Sequence, residues 1–256
     1  MLLGARSERG RARVINQDTF LAETLGESRS VHLLACADGM GGHQAGEVAS
    51  LLAISRLKEY IGGSIDDGSI YRSPSGVVRS AFTEANLAIS QSSCSVPGHF
   101  GMGTTLTACV IVGSRLCVGH VGDTRAYILV GRRLKAVTSD HSLVGELVRN
   151  GDLSEDEAMR HPQRNVLTRA LGTSPALDVD VSELDLLEPY VLALLSDGVT
   201  SCVKAIEIGE ILAGATDGQA MADKLVDLAL ERGGYDDATC VVAVAAKGPE
   251  GGGAAW

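Results

Sequence analysis

The chain has few aromatic residues and the wrong charge for binding nucleic acid. Phe, Tyr and Trp together make up 4% of the 256 residues, so there is little material for stacking on bases. Lys and Arg number 22 and Asp and Glu number 32, which gives a formal net charge of −10 at pH 7. A surplus of acidic residues repels a polyphosphate backbone. We therefore expect no nucleic-acid partner and a core built mainly from aliphatic side chains.

Membrane-spanning and secretory features are also missing. No apolar run approaches the ~18 residues of a transmembrane helix. The first residues place the apolar side chains before the charged ones, which is the reverse of a secretory signal. We therefore expect no membrane span and a cytoplasmic location.

Two kinds of cofactor motif are absent. The six cysteines contain no C-x-x-C pair, so we expect buried, reduced thiols rather than a zinc or redox site. Glycine pairs occur at Gly41-Gly42 and around Gly101 and Gly103, but neither G-x-x-x-x-G-K-[ST] nor G-x-G-x-x-G opens a helix after a strand. The sequence therefore does not predict nucleotide binding.

The hydrophobic pattern predicts blocks of strands separated by blocks of helices. Short runs rich in Val, Ile, Leu and Thr predict strands at residues 32–37, 104–112, 115–121, 125–130, 134–138, 177–181, 190–195 and 238–245. Helical periodicity appears at residues 46–61, 76–90 and 217–232, and residues 62–75 are predicted to be a surface loop. Blocks of this kind indicate an α+β fold, in which helices pack outside antiparallel sheets.

Aspartates recur where the predicted strands end. Asp38, Asp123 and Asp197 each follow an apolar run, and Asp236 and Asp237 come just before one. A single Asp-Gly pair is ordinary turn chemistry, but four such places at sheet ends can converge. Clustered carboxylates repel one another unless cations neutralise them, and all-oxygen sites suit Mg²⁺ or Mn²⁺. The pattern therefore predicts a hydrolytic centre with more than one metal ion.

Six short motifs together resemble a known family. In chain order they are Arg13-Val14-Ile15-Asn16-Gln17-Asp18, Asp38-Gly39-Met40-Gly41-Gly42-His43, Gly103-Thr104-Thr105, Gly122-Asp123-Thr124-Arg125, Ser196-Asp197-Gly198 and Asp236-Asp237-Ala238-Thr239. They look like the successive motifs of the metal-dependent type 2C protein serine/threonine phosphatases, in the compact bacterial form. The resemblance implies a four-layer sandwich, in which two central antiparallel β-sheets are flanked by helix pairs. It also implies one catalytic domain over residues 1–247, with a flap near residues 140–172 beside the active site and a flexible Gly-rich tail at 248–256.

The resemblance assigns metal ligands residue by residue. Asp38 would bridge two ions and Gly39 would offer its backbone carbonyl to one of them. Asp197 and Asp236 would complete the other ion, Asp18 would hold a metal-associated water, and Asp123 would help to bind a third, weaker ion. The cofactor implied is Mn²⁺ or Mg²⁺, as two ions or, with Asp123, three.

The resemblance also implies catalytic roles near the metals. Arg13 stands where relatives grip the substrate phosphate, and a guanidinium supplies two parallel donors for that purpose. Eukaryotic members have a histidine as general acid at the position of Met40, which cannot donate a proton. His43 is the nearest substitute, although it could equally be a hydrogen-bonded loop residue that fixes the glycine turn. Asp237 replaces a usual Asn, and we interpret that change as structural.

We therefore predict an enzyme that hydrolyses phosphoserine and phosphothreonine in proteins and opposes a bacterial Ser/Thr kinase. Its partners would be phosphorylated proteins, among them that kinase or its substrates, and the protein would be a monomer. One alternative is a partner-switching phosphatase that acts on a sigma-factor regulator. Another is a pseudophosphatase that binds phosphoproteins without turnover, which the intact Asp38, Asp197 and Asp236 disfavour.

Overall fold

The computed structural model describes residues 1–26, 30–40 and 45–245, and within them the chain forms eleven strands and eight helices. The strands are β1 (Leu2–Glu8), β2 (Asp18–Leu25), β3 (Val31–Met40), β4 (Gly103–Thr104), β5 (Leu106–Val112), β6 (Arg115–Val121), β7 (Arg125–Val130), β8 (Arg133–Ala136), β9 (Asp180–Asp185), β10 (Tyr190–Leu195) and β11 (Ala238–Ala245). The helices are α1 (Gly46–Asp66), α2 (Ser69–Arg72), α3 (Pro74–Ser95), α4 (Leu143–Asn150), α5 (Glu155–Ala158), α6 (Asp197–Thr200), α7 (Ala205–Ala213) and α8 (Gly218–Glu231). None of the described helices is both long enough and apolar enough to cross a membrane.

The strands form two antiparallel sheets. One sheet has the order β1-β11-β10-β7-β8, and the other has the order β2-β3-β5-β6-β9 with β4 paired to β3. In the first sheet Leu195 pairs with both Arg125 and Cys240, so the end of β10 lies beside the start of β7 and of β11. Asp123, Asp197 and Asp236 therefore lie at the same end of these three strands.

Side-chain alternation along the strands produces the layers. In β3, Leu33 and Ala35 face α1 and α3, whereas Leu34 and Cys36 face the opposite sheet. All four are fully buried. The outer face of the first sheet packs against α7 and α8 through residues such as Leu225. The structure thus confirms the predicted four-layer sandwich, and each fully buried leucine contributes roughly 1.5–3 kcal/mol of apolar burial.

Several local predictions were wrong. The predicted surface loop at residues 62–75 is largely helical, because α1 continues to Asp66 and α2 follows. Gly62 and Gly63 lower helix propensity, but burial of the neighbouring Ile61 and Ser64 outweighs it. The sequence pattern also missed β1, β2 and α7, and placed β9 at 177–181, three residues before its start.

The cysteine prediction is largely confirmed. All six cysteines are free: Cys36, Cys109, Cys117 and Cys240 are buried, whereas Cys94 is exposed and Cys202 is half-buried. Residues 140–172 form a segment that contains α4 and α5, with the isolated bridges Ser142↔Leu167 and Thr104↔Leu171 at its base. The tail predicted at 248–256 lies outside the described residues.

Candidate active site

Two aspartates face each other across the β2–β3 pair. Asp18 is the first residue of β2, and the register pairs it with Asp38. Asp18 Oδ2 accepts a 2.6 Å hydrogen bond from Thr239 Oγ1, which belongs to β11 of the other sheet. Asp18 Oδ1 is buried and has no hydrogen-bond partner within the described part of the chain. One carboxylate oxygen is therefore available for a ligand at the junction of the two sheets.

Asp197 and Asp236 lie next to this junction, at strand ends of the sheet that contains β10 and β11. Ser196 donates its backbone N–H to Thr239 O at 3.0 Å, which holds the end of β10 against the start of β11. Asp197 begins α6, and its Oδ1 is a second buried oxygen without a partner among the described residues.

The loop that carries Arg13 is fastened to this edge by Asp237. Oδ1 of Asp237 accepts from the Gly10 N–H and Oδ2 from the Gln17 N–H, both at 2.8 Å. Arg13 then reaches Asp236 with two parallel hydrogen bonds, Nε to Oδ1 at 2.8 Å and Nη2 to Oδ2 at 2.6 Å. These hydrogen bonds raise the pKa of Arg13. The structure thus pairs the predicted phosphate ligand with a predicted metal ligand, and it gives Asp237 a structural role.

Gly39 is enclosed on both sides. Its N–H donates to Gln17 O at 3.1 Å, and a Cβ at this position would lie 2.0 Å from Gly46 O, which no side chain can tolerate. Asp38, next to it, is anchored through its backbone: its N–H donates to Thr105 Oγ1 at 2.9 Å, and its carbonyl accepts from the Thr105 N–H at 2.9 Å. The Asp38 carboxylate is thus carried on a backbone that is fixed by the neighbouring strands.

Burial and mutual repulsion raise the pKa of the clustered aspartates. The pKa of Asp38 lies well above its ordinary value because the group is desolvated and faces Asp18 and Asp197. Desolvation has the same effect on the pKa of Asp18, with Asp197 adding repulsion. Desolvation and Asp236 raise the pKa of Asp197 to about 6. The predicted carboxylates are therefore close enough to oppose one another's ionisation, and a cation would relieve that opposition.

Asp123 joins the same cluster from the side of the segment 140–172. Desolvation, followed by repulsion from Asp197, raises its pKa well above the ordinary value. A cavity of about 480 Å³ reaches from Asp123 and Asp197 to Val144 of α4 and Arg164. The segment predicted as a flap therefore forms one wall of a cavity that opens onto the aspartate cluster.

The donor set fits hard divalent cations. Two orphaned, buried carboxylate oxygens and a surrounding group of aspartates are the ligands such ions prefer. Across residues 1–26, 30–40 and 45–245, no group of three or more His, Cys, Asp or Glu side chains is arranged so that it could hold a metal ion. Both oxygens of Asp236, one of the predicted ligands, accept hydrogen bonds from Arg13.

The structure brings together most of the predicted site. Arg13, Asp18, Asp38, Asp197 and Asp236 are linked by hydrogen bonds, strand register or mutual repulsion, and Asp123 and Gly39 adjoin them. His43 lies outside the described residues. The motifs contained Thr105 and Thr239, but nothing in the sequence indicated that their hydroxyl groups hold Asp38 and Asp18 in place.

Comparisons with known proteins identify the family to which the chain belongs. Residues 7–228 match the model of the family described as protein phosphatase 2C. The serine/threonine phosphatase stp of Listeria monocytogenes is 34% identical over 240 residues, which cover 93% of each chain. The serine/threonine protein phosphatase PstP of Mycobacterium tuberculosis is 37% identical over 244 residues, covering 93% of this chain and 44% of PstP.

Solved structures show the same architecture. The crystal structure of the M. tuberculosis phosphatase PstP/Ppp is 36% identical and superposes with a TM-score of 0.85, covering 95% of this chain and 99% of that one. The catalytic domain of PstP in complex with two manganese ions is 34% identical, with a TM-score of 0.81 and coverage of 94% and 96%. By sequence and fold, the chain belongs to the protein phosphatase 2C family.

Proposed function

We propose that this protein hydrolyses phosphoserine and phosphothreonine in other proteins. The observation that carries the proposal is the aspartate cluster, with its two buried, unpartnered carboxylate oxygens at the junction of two sheets. Membership of the phosphatase family and relatives named as serine/threonine phosphatases support it. The intact carboxylates disfavour a binding module that lacks turnover.

The cofactor in this proposal is Mn²⁺ or Mg²⁺. Asp38 would contact two ions, Gly39 would offer its carbonyl to one, and Asp197 and Asp236 would hold the other. Asp18 would fix the water around them, and Asp123 with Asp197 would hold a third ion. When bound, such ions neutralise phosphoryl oxygens and lower the pKa of the attacking water.

Arg13 would bind and orient the substrate. Its guanidinium now donates to both oxygens of Asp236, and a phosphoryl group presents a similar edge with two acceptors. The same planar donors can therefore exchange the carboxylate for the phosphate. Asp237 keeps the Arg13 loop beside the cluster during that exchange, because it binds the N–H groups at both ends of the loop.

Protonation of the leaving alkoxide needs a donor other than Met40. His43 is the nearest histidine in the sequence, three residues further along the chain, and we keep it as the candidate general acid. Its replacement by Ala should slow a substrate with a poor leaving group, such as phosphothreonine, more than p-nitrophenyl phosphate.

The proposal extends to the location, oligomeric state and substrates of the protein in the cell. A phosphatase of this kind would act in the cytoplasm as a monomer, on phosphoproteins produced by a Ser/Thr kinase, with the kinase itself among its substrates. Phosphopeptide profiling of a strain that lacks the gene would identify those substrates.

Phosphate release from a phosphothreonine peptide tests the core of the proposal. We expect hydrolysis with Mn²⁺ or Mg²⁺, none after EDTA treatment, and no productive replacement by Zn²⁺. Asp38→Asn should abolish turnover while the protein stays folded by circular dichroism. Asp66→Asn is the matched control, since Asp66 is exposed at the end of α1. Full activity in chelated buffer, or more than about a tenth of the rate in Asp38→Asn, a barrier change of only ~1.4 kcal/mol, would disprove the assignment.

A further inference from the structure

The loop between β1 and β2 carries an unusual concentration of positive charge. Residues 9–15 read Arg-Gly-Arg-Ala-Arg-Val-Ile, with arginine at every second position from 9 to 13 and no acidic residue. Arg9, Arg11 and Arg13 are all exposed. We call residues 9–15 the basic loop. In a chain with a net charge of −10, it presents three cations beside the candidate active site.

The basic loop is held in a defined position. Asp237 binds the Gly10 N–H within it and the Gln17 N–H just after it. The Arg11 N–H donates to Gly234 O at 2.8 Å, and the Arg9 guanidinium donates to the backbone carbonyl of Arg13. These contacts fix the loop against the turn that precedes Asp236. Little conformational entropy would be lost when a ligand binds to it.

Two of the three charges are not compensated by carboxylates. Arg13 is paired with Asp236, but within the described chain the Arg11 guanidinium has no hydrogen-bond or ion-pair partner. Arg9 contacts a carbonyl, not a carboxylate. The nearest acidic side chain in sequence, Glu8, is bound by Arg6 at 3.2 Å. Arg9 and Arg11 are therefore free to attract an anionic partner.

The distance from Arg13 limits where that partner can lie. Arg11 is two residues from Arg13, so their Cα atoms are at most ~7 Å apart. If Arg13 binds the phosphoryl group, side chains a few residues from the phosphorylated residue of an extended peptide come within reach of Arg11. Val14, 97% exposed, adds apolar surface at the same place.

We propose that the basic loop docks the peptide segment that flanks the phosphorylated residue, and that Arg9 and Arg11 select acidic side chains in it. This inference rests on the proposed phosphatase function and adds the sequence class of the substrate. The attraction is electrostatic between exposed groups, so it is strong at low ionic strength and is screened by salt.

The test compares three phosphothreonine peptides that differ only at the flanking positions, which are Glu, Gln or Lys. For the unmodified protein with Mn²⁺, we expect kcat/KM on the Glu peptide to exceed that on the Gln peptide by about fivefold to tenfold at low salt. This preference for the Glu peptide should fall below about twofold in the Arg9→Gln/Arg11→Gln variant, and also in the unmodified protein at 0.5 M NaCl. Arg11→Gln alone should reduce it partly, without disturbing the contact from Arg9 to Arg13.

The matched control is Arg132→Gln/Arg133→Gln. These exposed arginines follow Val130, which pairs with Tyr190 at the start of β10. The aspartate cluster lies at the other end of these strands, where Arg125 pairs with Leu195. The control should keep the full preference, and both the control and Arg11→Gln should hydrolyse p-nitrophenyl phosphate within about twofold of the unmodified rate.

Each outcome decides the proposal. Equal rates on all three peptides with the unmodified protein would refute selection of acidic residues, yet leave the phosphatase function standing. A uniform loss on every substrate in the double variant and in Arg11→Gln would make the basic loop a scaffold only. If no peptide is hydrolysed, the phosphatase function fails, and fluorescence anisotropy with the same peptides still shows whether Arg9 and Arg11 favour the acidic one.

Discussion

Replacing Asp197 by Asn should stabilise the metal-free protein at high pH. Burial and repulsion from Asp236 raise the pKa of Asp197 from 3.8 to about 6. A carboxyl whose pKa is raised on folding contributes stability that is complete below its unfolded pKa. That contribution is lost as the pH rises through the folded pKa. The loss therefore falls between about pH 4 and pH 7, and Asn, which has no charge to desolvate, avoids it.

The size of the effect follows from the same pKa values. A pKa of about 6 against 3.8 corresponds to roughly 3 kcal/mol at 1.36 kcal/mol for each pKa unit. Part of the residue still contacts solvent, so about 2 kcal/mol is the better expectation. For a domain of this size 1 kcal/mol changes Tm by about 2–4 °C. The variant should therefore melt about 4–8 °C higher than the unmodified protein at pH 8.

The assay is thermal unfolding in EDTA at pH 4.5 and pH 8, with Asp66→Asn as control. The Tm advantage of Asp197→Asn should be large at pH 8 and small at pH 4.5. Mn²⁺ should then raise the Tm of the unmodified protein at pH 8 and raise that of Asp197→Asn much less. A variant that melts lower than the unmodified protein at pH 8 in EDTA would show that burial and repulsion at Asp197 do not destabilise the fold. A variant that gains as much from Mn²⁺ as the unmodified protein would show that Asp197 is not a cation ligand.

Three further predictions concern Arg13, the segment 140–172 and the anchor Asp237. Arg13→Ala should raise the barrier for kcat/KM on a phosphopeptide by ~2–3 kcal/mol, through the loss of charge-assisted hydrogen bonds. The Mn²⁺ affinity measured by calorimetric titration should not fall, because the change frees both oxygens of Asp236. Arg160→Ala/Arg164→Ala should leave p-nitrophenyl phosphate hydrolysis within about threefold, roughly 0.65 kcal/mol, and reduce kcat/KM on phosphoproteins more. Equal losses on both would place this segment in the catalytic centre, and no loss on either would make it a solvated surface. Asp237→Ala removes the acceptor of two buried N–H groups, so urea unfolding should show a loss of about 3 kcal/mol; an unchanged midpoint would contradict the anchoring role.

The aspartates that the structure brings together could be picked out from the sequence, whereas several of the helices and strands around them could not. Asp38, Asp123 and Asp197 were identifiable because each ends an apolar run that could only be a strand. Their convergence follows from strands that finish at one edge. The pairing of Arg13 with Asp236 joins residues 223 positions apart, and no local pattern encodes such a contact. The anchoring of the chain on either side of Arg13 by Asp237, through Gly10 and Gln17, is hidden for the same reason.

The misplaced elements show where local patterns fail. β1 pairs only with β11 within its sheet, so its pattern of half-buried residues is weak. Helix α1 continues through Gly62 and Gly63 because tertiary packing of Ile61 and Ser64 outweighs a poor local propensity. In both cases the deciding interactions come from distant parts of the chain.

The pairing of β1 with β11 also sets when the site can be assembled. Leu2 is in register with Val244, so β1 has no partner in its sheet until β11, which lies far later in the sequence, has been synthesised. Asp236 and the anchor for Arg13 arrive with that late strand. A nascent chain therefore carries Asp18 and Asp38 before Asp236 has been made. The cluster can therefore be completed only after β11 has been synthesised and has inserted between β1 and β10.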